Sequence, residues 1–416
     1  MTTMTAARPS TALPSAEVAS PADLERRYGA ANYHPLPVTL ARGAGVWLFD
    51  TEGRRHLDMM SAYSAVSFGH GHPTLVRALV EQAERLAVTS RAFHTDRLGP
   101  FLRAVCETTG MAKALPMNTG AEAVETAVKA ARKWGYKVKG IAEGRAEIIV
   151  AAGNFAGRTT TIVGFSSEPQ YRDGFGPFAP GFVSVPFGDA EALEAAITRN
   201  TAAFLVEPVQ GEAGIIVPPV GYLKRAREIC TRHRVLLICD EVQTGLGRTG
   251  ALLACDHEGI RPDGLVLGKA LGGGLVAVSA FLASDEVMSV FRPGDHGSTF
   301  GGNPLGAAVG TAALDLLVRE RLSERARVRG DELLAKLRAI DDPAIAEVRG
   351  KGLLIGVEID PRAATAREVC EGLLARGVLS KDTHGTVVRF APPLVVESSH
   401  IDLAVEALAD TLRALR

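Results

Sequence analysis

Four short apolar runs without polar alternation recur through the middle of the chain: residues 146–151 (AEIIVA), 202–206 (AAFLV), 235–239 (VLLIC) and 264–267 (GLVL). A strand with one wet face alternates apolar and polar residues, whereas a run that is apolar throughout suits a strand buried on both faces of a mainly parallel, helix-covered sheet. Between about residues 70 and 305 such runs alternate with helical patterns. Each is followed within a few residues by a polar side chain: Asn154, Glu207, Asp240 and Lys269. Ligands of open α/β sheets gather outside the carboxyl ends of the strands, so these four positions are expected to converge on one crevice. From Pro304 the texture changes. Amphipathic helices are predicted over 312–322 and 328–340, then short strands and a closing helix over 401–415. The pattern predicts an α/β fold, a large domain on a mainly parallel sheet followed by a smaller α+β domain.

Composition narrows the function classes. With 416 residues, 46% hydrophobic and 22% charged, the chain is globular and long enough for more than one core. Lys and Arg number 46 against 47 Asp and Glu, a net charge of -1, so no overall basic field points to nucleic acid or an anionic membrane. Cys106, Cys230, Cys239, Cys255 and Cys370 are odd in number and scattered, which argues against a disulfide framework or a cysteine metal site. No run approaches the ~18 residues of a membrane span, and residues 1–20 lack the apolar core of a secretory signal, so a cytoplasmic protein with a disordered tail over 1–20 is expected.

Three stretches carry candidate chemistry. In residues 116–125 (PMNTGAEAVE) a small-residue turn precedes a helix predicted to run to about Trp134, with Thr119 and Glu122 spaced as a capping box. The N–H groups of Gly120 and Ala121 are then uncovered at a helix start, where a phosphate can bind, although an ordinary capped helix has the same pattern. Lys269 follows a buried strand and precedes Ala-Leu-Gly-Gly-Gly; desolvation there favours the neutral, nucleophilic amine. Asp240 ends the VLLIC run and needs a cationic partner if buried. A phosphate cradle, an acid for a protonated ring nitrogen and a strand-end lysine are together what pyridoxal phosphate (PLP) requires, while neither GxGxxG nor GxxxxGK[ST] stands where a nucleotide site would need it.

Longer blocks carry a resemblance: 28–37 (YGAANYHPLP), 63–66 (YSAV), 115–120 (LPMNTG), 131–136 (ARKWGY), 211–214 (GEAG), 297–304 (GSTFGGNP) and 389–394 (RFAPPL). On these, from about Tyr28 to the C-terminus, the chain resembles the class III, fold type I, PLP-dependent aminotransferases, and within them the branch acting on ornithine. The resemblance implies an N-terminal segment over 21–63 packing with a small domain at 309–416, and a PLP-binding large domain at 64–308. It implies that Lys269 bonds PLP covalently, that Asp240 holds the pyridinium proton, that Gln243 binds the ring 3-oxygen, and that Phe155 and Val242 cover the two ring faces. Thr119, Gly120 and Ala121 would hold the phosphate with Ser298 and Thr299 of a second subunit, making the enzyme a homodimer with composite sites. Tyr33 and Arg158 would bind the α-amine and α-carboxylate of ornithine, Tyr63 would line the pocket, and Glu212 would mask Arg389 until 2-oxoglutarate needs it. No metal is implied. Departures from the branch's usual pattern fall at Val276-Ala277, Ser67-Phe68 and Ala156. Acetylornithine, lysine or 4-aminobutyrate remain as other amino donors, and a PLP racemase, an aminomutase or an inactive PLP binder as other classes.

Overall fold

The computed structural model describes residues 19–416, so the expected tail over 1–20 falls outside the described residues except at its last two positions. Near the N-terminus β1 (Leu40–Ala44), β2 (Trp47–Asp50) and β3 (Arg55–Asp58) form an antiparallel meander. The central sheet contains β4 (Lys113–Met117), β5 (Glu147–Ala151), β6 (Phe182–Val185), β7 (Thr201–Val206), β8 (Leu236–Asp240), β9 (Gly264–Leu267) and β10 (Ser279–Ala283), in the spatial order β4-β10-β9-β8-β7-β5-β6. Only β10 runs against its neighbours. Beyond it come β11 (Ile345–Lys351), β12 (Leu354–Ile359), β13 (Val378–Leu379), β14 (Asp382–Thr383) and β15 (Val387–Phe390). Four of these make an antiparallel sheet, β11-β12-β15-β14, while β13 adds to the N-terminal meander in parallel with β3, joining the two ends of the chain.

The four apolar runs are strands β5, β7, β8 and β9, and their lack of alternation has the expected cause. Phe204, Leu237, Cys239 and Leu265 enter one hydrophobic core, whereas Ala203, Leu205, Leu236, Ile238 and Val266 enter a second on the other face. Successive side chains of a strand point to opposite faces, so a sheet with two cores needs apolar residues at every position. All five cysteines are free thiols.

The helices after residue 300 differ from the sequence pattern. The first runs over Pro304–Arg319, opened by Asn303, whose side chain accepts from the Gly306 N–H at 2.7 Å. Its early small residues blur the periodicity, which becomes amphipathic only from about residue 312. The chain then turns at Arg321, φ 52°, and the next helix is Leu322–Arg338 rather than 328–340. The expected boundary at residue 308 falls inside the first of these helices. The closing helix is Ser398–Ala414.

The helix Leu322–Arg338 lies on the β11–β12 turn at Gly330, where an added Cβ would overlap the Gly352 backbone. Gly330→Ala therefore tests packing against propensity. Helix propensity alone favours Ala by up to ~1 kcal/mol, but overpacking against an unyielding backbone costs about 1–3 kcal/mol. The variant should unfold at lower denaturant concentration than the wild type, and a higher midpoint would show that the close approach is not a constraint.

Candidate active site

Beyond the carboxyl ends of β7, β8 and β9 lies a cavity of ≈ 170 Å³. Its lining includes Gly120 and Ala121, Phe155, Glu207 and Glu212, Asp240, Val242 and Gln243, and Lys269. The register explains the meeting: Val206 pairs with Cys239 and Asp240 with Val266, so Glu207, Asp240 and the residues just after β9 emerge side by side. Lys269 itself has φ 44° at the start of a short 3-10 turn, a conformation disfavoured for L residues and found where surrounding structure imposes it. A wider groove of ≈ 1060 Å³, bordered by Phe165, Gln170, Arg172 and Phe182, lies along the edge strand β6 and contains none of the strand-end acids or Lys269.

Electrostatics in the cavity is governed by loss of water. Burial pulls the Lys269 amine below its ordinary pKa, opposed by Glu212, Asp240 and Glu207, which biases it toward the neutral nucleophile. Burial also pushes Asp240 up to about 6, against the Val242 N–H bond and the Lys269 charge. Among the described residues only Oδ1 of Asp240 has a protein donor, Val242 N at 3.1 Å. A protonated ring nitrogen supplies the cation such an acid lacks. The helix Gly120–Trp134 begins at the cavity with the Thr119–Glu122 capping box formed as expected, leaving the Gly120 and Ala121 N–H groups without partners inside the helix. An amine biased to neutrality, a buried acid short of a cation and a free helix start fit PLP.

Glu212 and Arg389 are paired in a two-pronged ion bridge, Nη1–Oε1 2.6 Å and Nη2–Oε2 2.7 Å, with Gln243 Nε2 donating to Oε1 at 3.2 Å. Burial opposes the charge on Glu212, but the bonds and charge of Arg389, with the Lys269 charge and the Gln243 bond, together hold the carboxyl below its ordinary range. Gly211, beside Glu212, has no room for a side chain because Gln243 fills the Cβ position. Tyr63 covers Arg389, with the guanidinium carbon 5.2 Å from its ring centre, and burial raises its phenol pKa. Arg158 is exposed and stacks on Tyr171 at 4.0 Å and on Phe155 at 5.7 Å. Tyr33 is 72% exposed.

Several expectations need correction or addition. Asn154 does not line this cavity: its amide donates back to Ala151 O at 2.6 Å, and it borders a small adjoining void of ≈ 10 Å³ with Glu207 and Asp240, while Phe155 faces the cavity. Gln243, read only as a cofactor ligand, also bonds Glu212. Thr119 is exposed and is engaged in its cap, while Ser298 accepts from Asn118 Nδ2 and Gly301 N of its own chain, both at 3.0 Å, and Thr299 is exposed. Glu207 was noticed at its strand end but given no role. It is buried beside Asp240, accepts from Phe155 N at 2.9 Å and Gly211 N at 3.4 Å, and is pushed up to about 8 by burial and by the Asp240 charge. Of the departures from the family pattern, Phe68 is core, Val276 packs against the core, Ala277 is exposed, and Ala156 lines the cavity.

Comparison with known proteins agrees with this geometry. The model of the family Aminotransferase class-III matches residues 28–412. The chain is 56% identical over 389 residues to an ornithine aminotransferase of Bordetella pertussis, covering 94% of each. Its structure superimposes on the crystal structure of the ornithine aminotransferase from Toxoplasma gondii with a TM-score of 0.92 at 45% identity, covering 94% of both chains. An acetylornithine aminotransferase from Elizabethkingia anophelis matches with a TM-score of 0.86 at 48% identity, covering 94% of this chain and 98% of that one. A family model spanning nearly the whole chain, together with a fold and a lysine–aspartate cavity of the required kind, makes this protein a member of the class III aminotransferases, a family that works with PLP.

Proposed function

We propose that the chain is an ornithine 5-aminotransferase, transferring the δ-amine of L-ornithine to 2-oxoglutarate and yielding glutamate 5-semialdehyde, which cyclises to pyrroline-5-carboxylate, and glutamate. The observation that carries this reading is the buried Glu212–Arg389 bridge at the cavity. The two half-reactions demand opposite things of one site. An amino donor entering by its distal amine must not meet a free arginine near the reacting centre, whereas 2-oxoglutarate needs one for its α-carboxylate. A paired arginine that can be released meets both demands, and a racemase or aminomutase has no dicarboxylate acceptor to use it.

PLP, when bound, supplies the electrophilic carbon and the electron sink. Asp240 would keep the ring nitrogen protonated, Gly120 and Ala121 would take the phosphate with Thr119 at the cap, Phe155 and Val242 would cover the ring, and Gln243, bonded to Glu212, would donate to the ring oxygen. Lys269 would hold the cofactor, and its amine would act as base on the δ-carbon proton and then as the acid that delivers that proton to the cofactor side. Arg158 and Tyr33 bind the far end of ornithine, and Tyr63 narrows the pocket. The exposed Thr299, with Ser298, serves a second copy of the chain, so the working form is a homodimer. Residues 64–308 are the cofactor-binding part, with 21–63 and 309–416 closing over it, a division supported by the pairing of β3 with β13. The enzyme works in the cytoplasm; among the described residues no helix is long and apolar enough to cross a membrane. The acetylornithine relative favours one second reading, in which the donor carries an acylated α-amine.

Purified protein given 2-oxoglutarate and either ornithine or acetylornithine decides between the two: ornithine should form the cyclic imine faster, and a preference for acetylornithine would overturn the assignment. Lys269→Ala should lose the absorption band of covalently bound cofactor and roughly 10³-fold or more of turnover; retention of both would remove Lys269 from its role. In Glu212→Ala the unpaired Arg389 should attract the α-carboxylate of ornithine and misplace its amine, so the ratio of the ornithine to the glutamate half-reaction rate constants should fall about tenfold or more. An unchanged ratio in single-turnover spectra would make the bridge merely structural.

A further inference from the structure

Ser61, Ala62, Tyr63 and Ser64 have φ of 42°, 47°, 60° and 73°, one turn of left-handed helix made without a glycine. L side chains disfavour this region, so the turn persists only if its surroundings hold it. A set of buried polar groups does so. Asp58 Oδ1 accepts from the N–H groups of Met60 and Ser61, both at 2.8 Å, and its other oxygen lies 2.7 Å from His70 Nε2. The Ser61 hydroxyl donates to Ala391 O at 2.6 Å, and Ala391 N donates to Met59 O at 2.7 Å.

Arg248 stands behind this set, wholly buried, and among the described residues no carboxylate bonds it. Its Nη2 donates to Ser61 Oγ at 3.1 Å and Ser67 Oγ at 3.2 Å; its Nη1 donates to Leu353 O at 2.9 Å and Pro392 O at 2.5 Å. Burying an arginine whose hydrogen bonds all go to neutral acceptors is costly, and burial pulls its pKa down to about 9 against the nearby Asp58 charge. The same guanidinium thus grips the turn bearing Tyr63 and the segment three residues beyond Arg389.

We propose that Arg248 is a positioning residue for substrate selection: it holds the left-handed turn so that the Tyr63 ring lies over Arg389 and keeps that guanidinium on Glu212. The proposal rests on the reading that the Arg389–Glu212 bridge separates the two half-reactions. Arg248 acts through Tyr63, and loosening it releases Arg389 toward glutamate at the expense of the distal-amine donor.

Half-reactions of the holoenzyme with ornithine and with glutamate, followed by stopped-flow absorbance, test it in wild type, Arg248→Lys, Tyr63→Ala and the double variant. Arg248→Lys should lower the ornithine-to-glutamate ratio of rate constants by about tenfold with the cofactor spectrum unchanged, and should lower it by less than about twofold further once Tyr63 is already Ala, because residues acting as one unit are not additive. Ser61→Ala, which removes one hydroxyl and keeps the buried charge, should shift the ratio the same way by about threefold, and replaces Arg248→Lys in the cycle if that variant does not fold. A parallel fall of both half-reactions, full multiplication of the effects in the double variant, or an unmoved ratio in Ser61→Ala would overturn the clamp. Wild-type turnover of ornithine is scored separately. Should another ω-amine prove the better donor, the proposed function fails while the same cycle, run with that donor, still decides the role of Arg248.

Discussion

The cost of taking charge out of water at the ends of three neighbouring parallel strands governs the site. The effective penalty for burying one ion is several kcal/mol even after the protein relaxes, and here Glu207, Asp240, Glu212, Lys269 and Arg389 all bear it within one small space. They answer in different ways. Glu207 keeps its proton near neutrality, Lys269 is biased toward losing its own, and Glu212 stays ionised because Arg389 is bonded to both its oxygens. Asp240 is left with burial pushing it up, opposed by a single backbone donor and by the Lys269 charge. That acid, short of a cation, and an amine biased toward neutrality suit the cavity to a cationic ring and a carbonyl rather than to a static salt bridge.

The C-terminal sheet matters to the chemistry through one side chain. Arg389 sits on β15, paired with Gly356 of β12, and its backbone is tied again by Ser380 Oγ and by Lys381 O. Glu212 lies in the loop beyond β7, held by Gln243 and by Thr383 bonding its carbonyl at 2.6 Å. The bridge therefore spans the two sheets. Breaking a buried pair by removing one partner typically costs about 3–5 kcal/mol, so the proposed gating requires that an incoming carboxylate take Glu212's place at the same guanidinium.

Four strands of the central sheet, β5, β7, β8 and β9, were readable because they repeat one demand, two apolar faces, whereas β4 and β6, each with an exposed polar position, gave no such run. The helix at Gly120 was readable because its cap is local, with Thr119 and Glu122 three residues apart. Asn154 and Phe155 show where local reading stops: a polar residue after a strand marks the right loop, but which of two neighbours faces the cavity depends on whether the amide finds a carbonyl behind it, as Asn154 does at Ala151. Glu207 was visible by the same strand-end rule as Asp240, yet its raised pKa follows from its burial and from the charge of Asp240 beside it in the next strand, neither of which a window along the chain contains.

The sequence by itself determined the parallel sheet, the capped phosphate-type helix start, and the lysine and aspartate at adjacent strand ends, since each is written in the spacing of apolar and polar residues over a few turns or one strand. The family resemblance added the names of distant partners without their geometry. Only the tertiary structure decided that Glu212 and Arg389, 177 residues apart, close on each other, that Gln243 reaches Glu212, and that residues 61–64 wind left-handed behind Arg248. The reason is that desolvation and backbone strain are properties of the surroundings. A buried charge or a left-handed Tyr63 is unfavourable in its own segment and is stable only where remote parts of the chain supply the donors and acceptors that hold it.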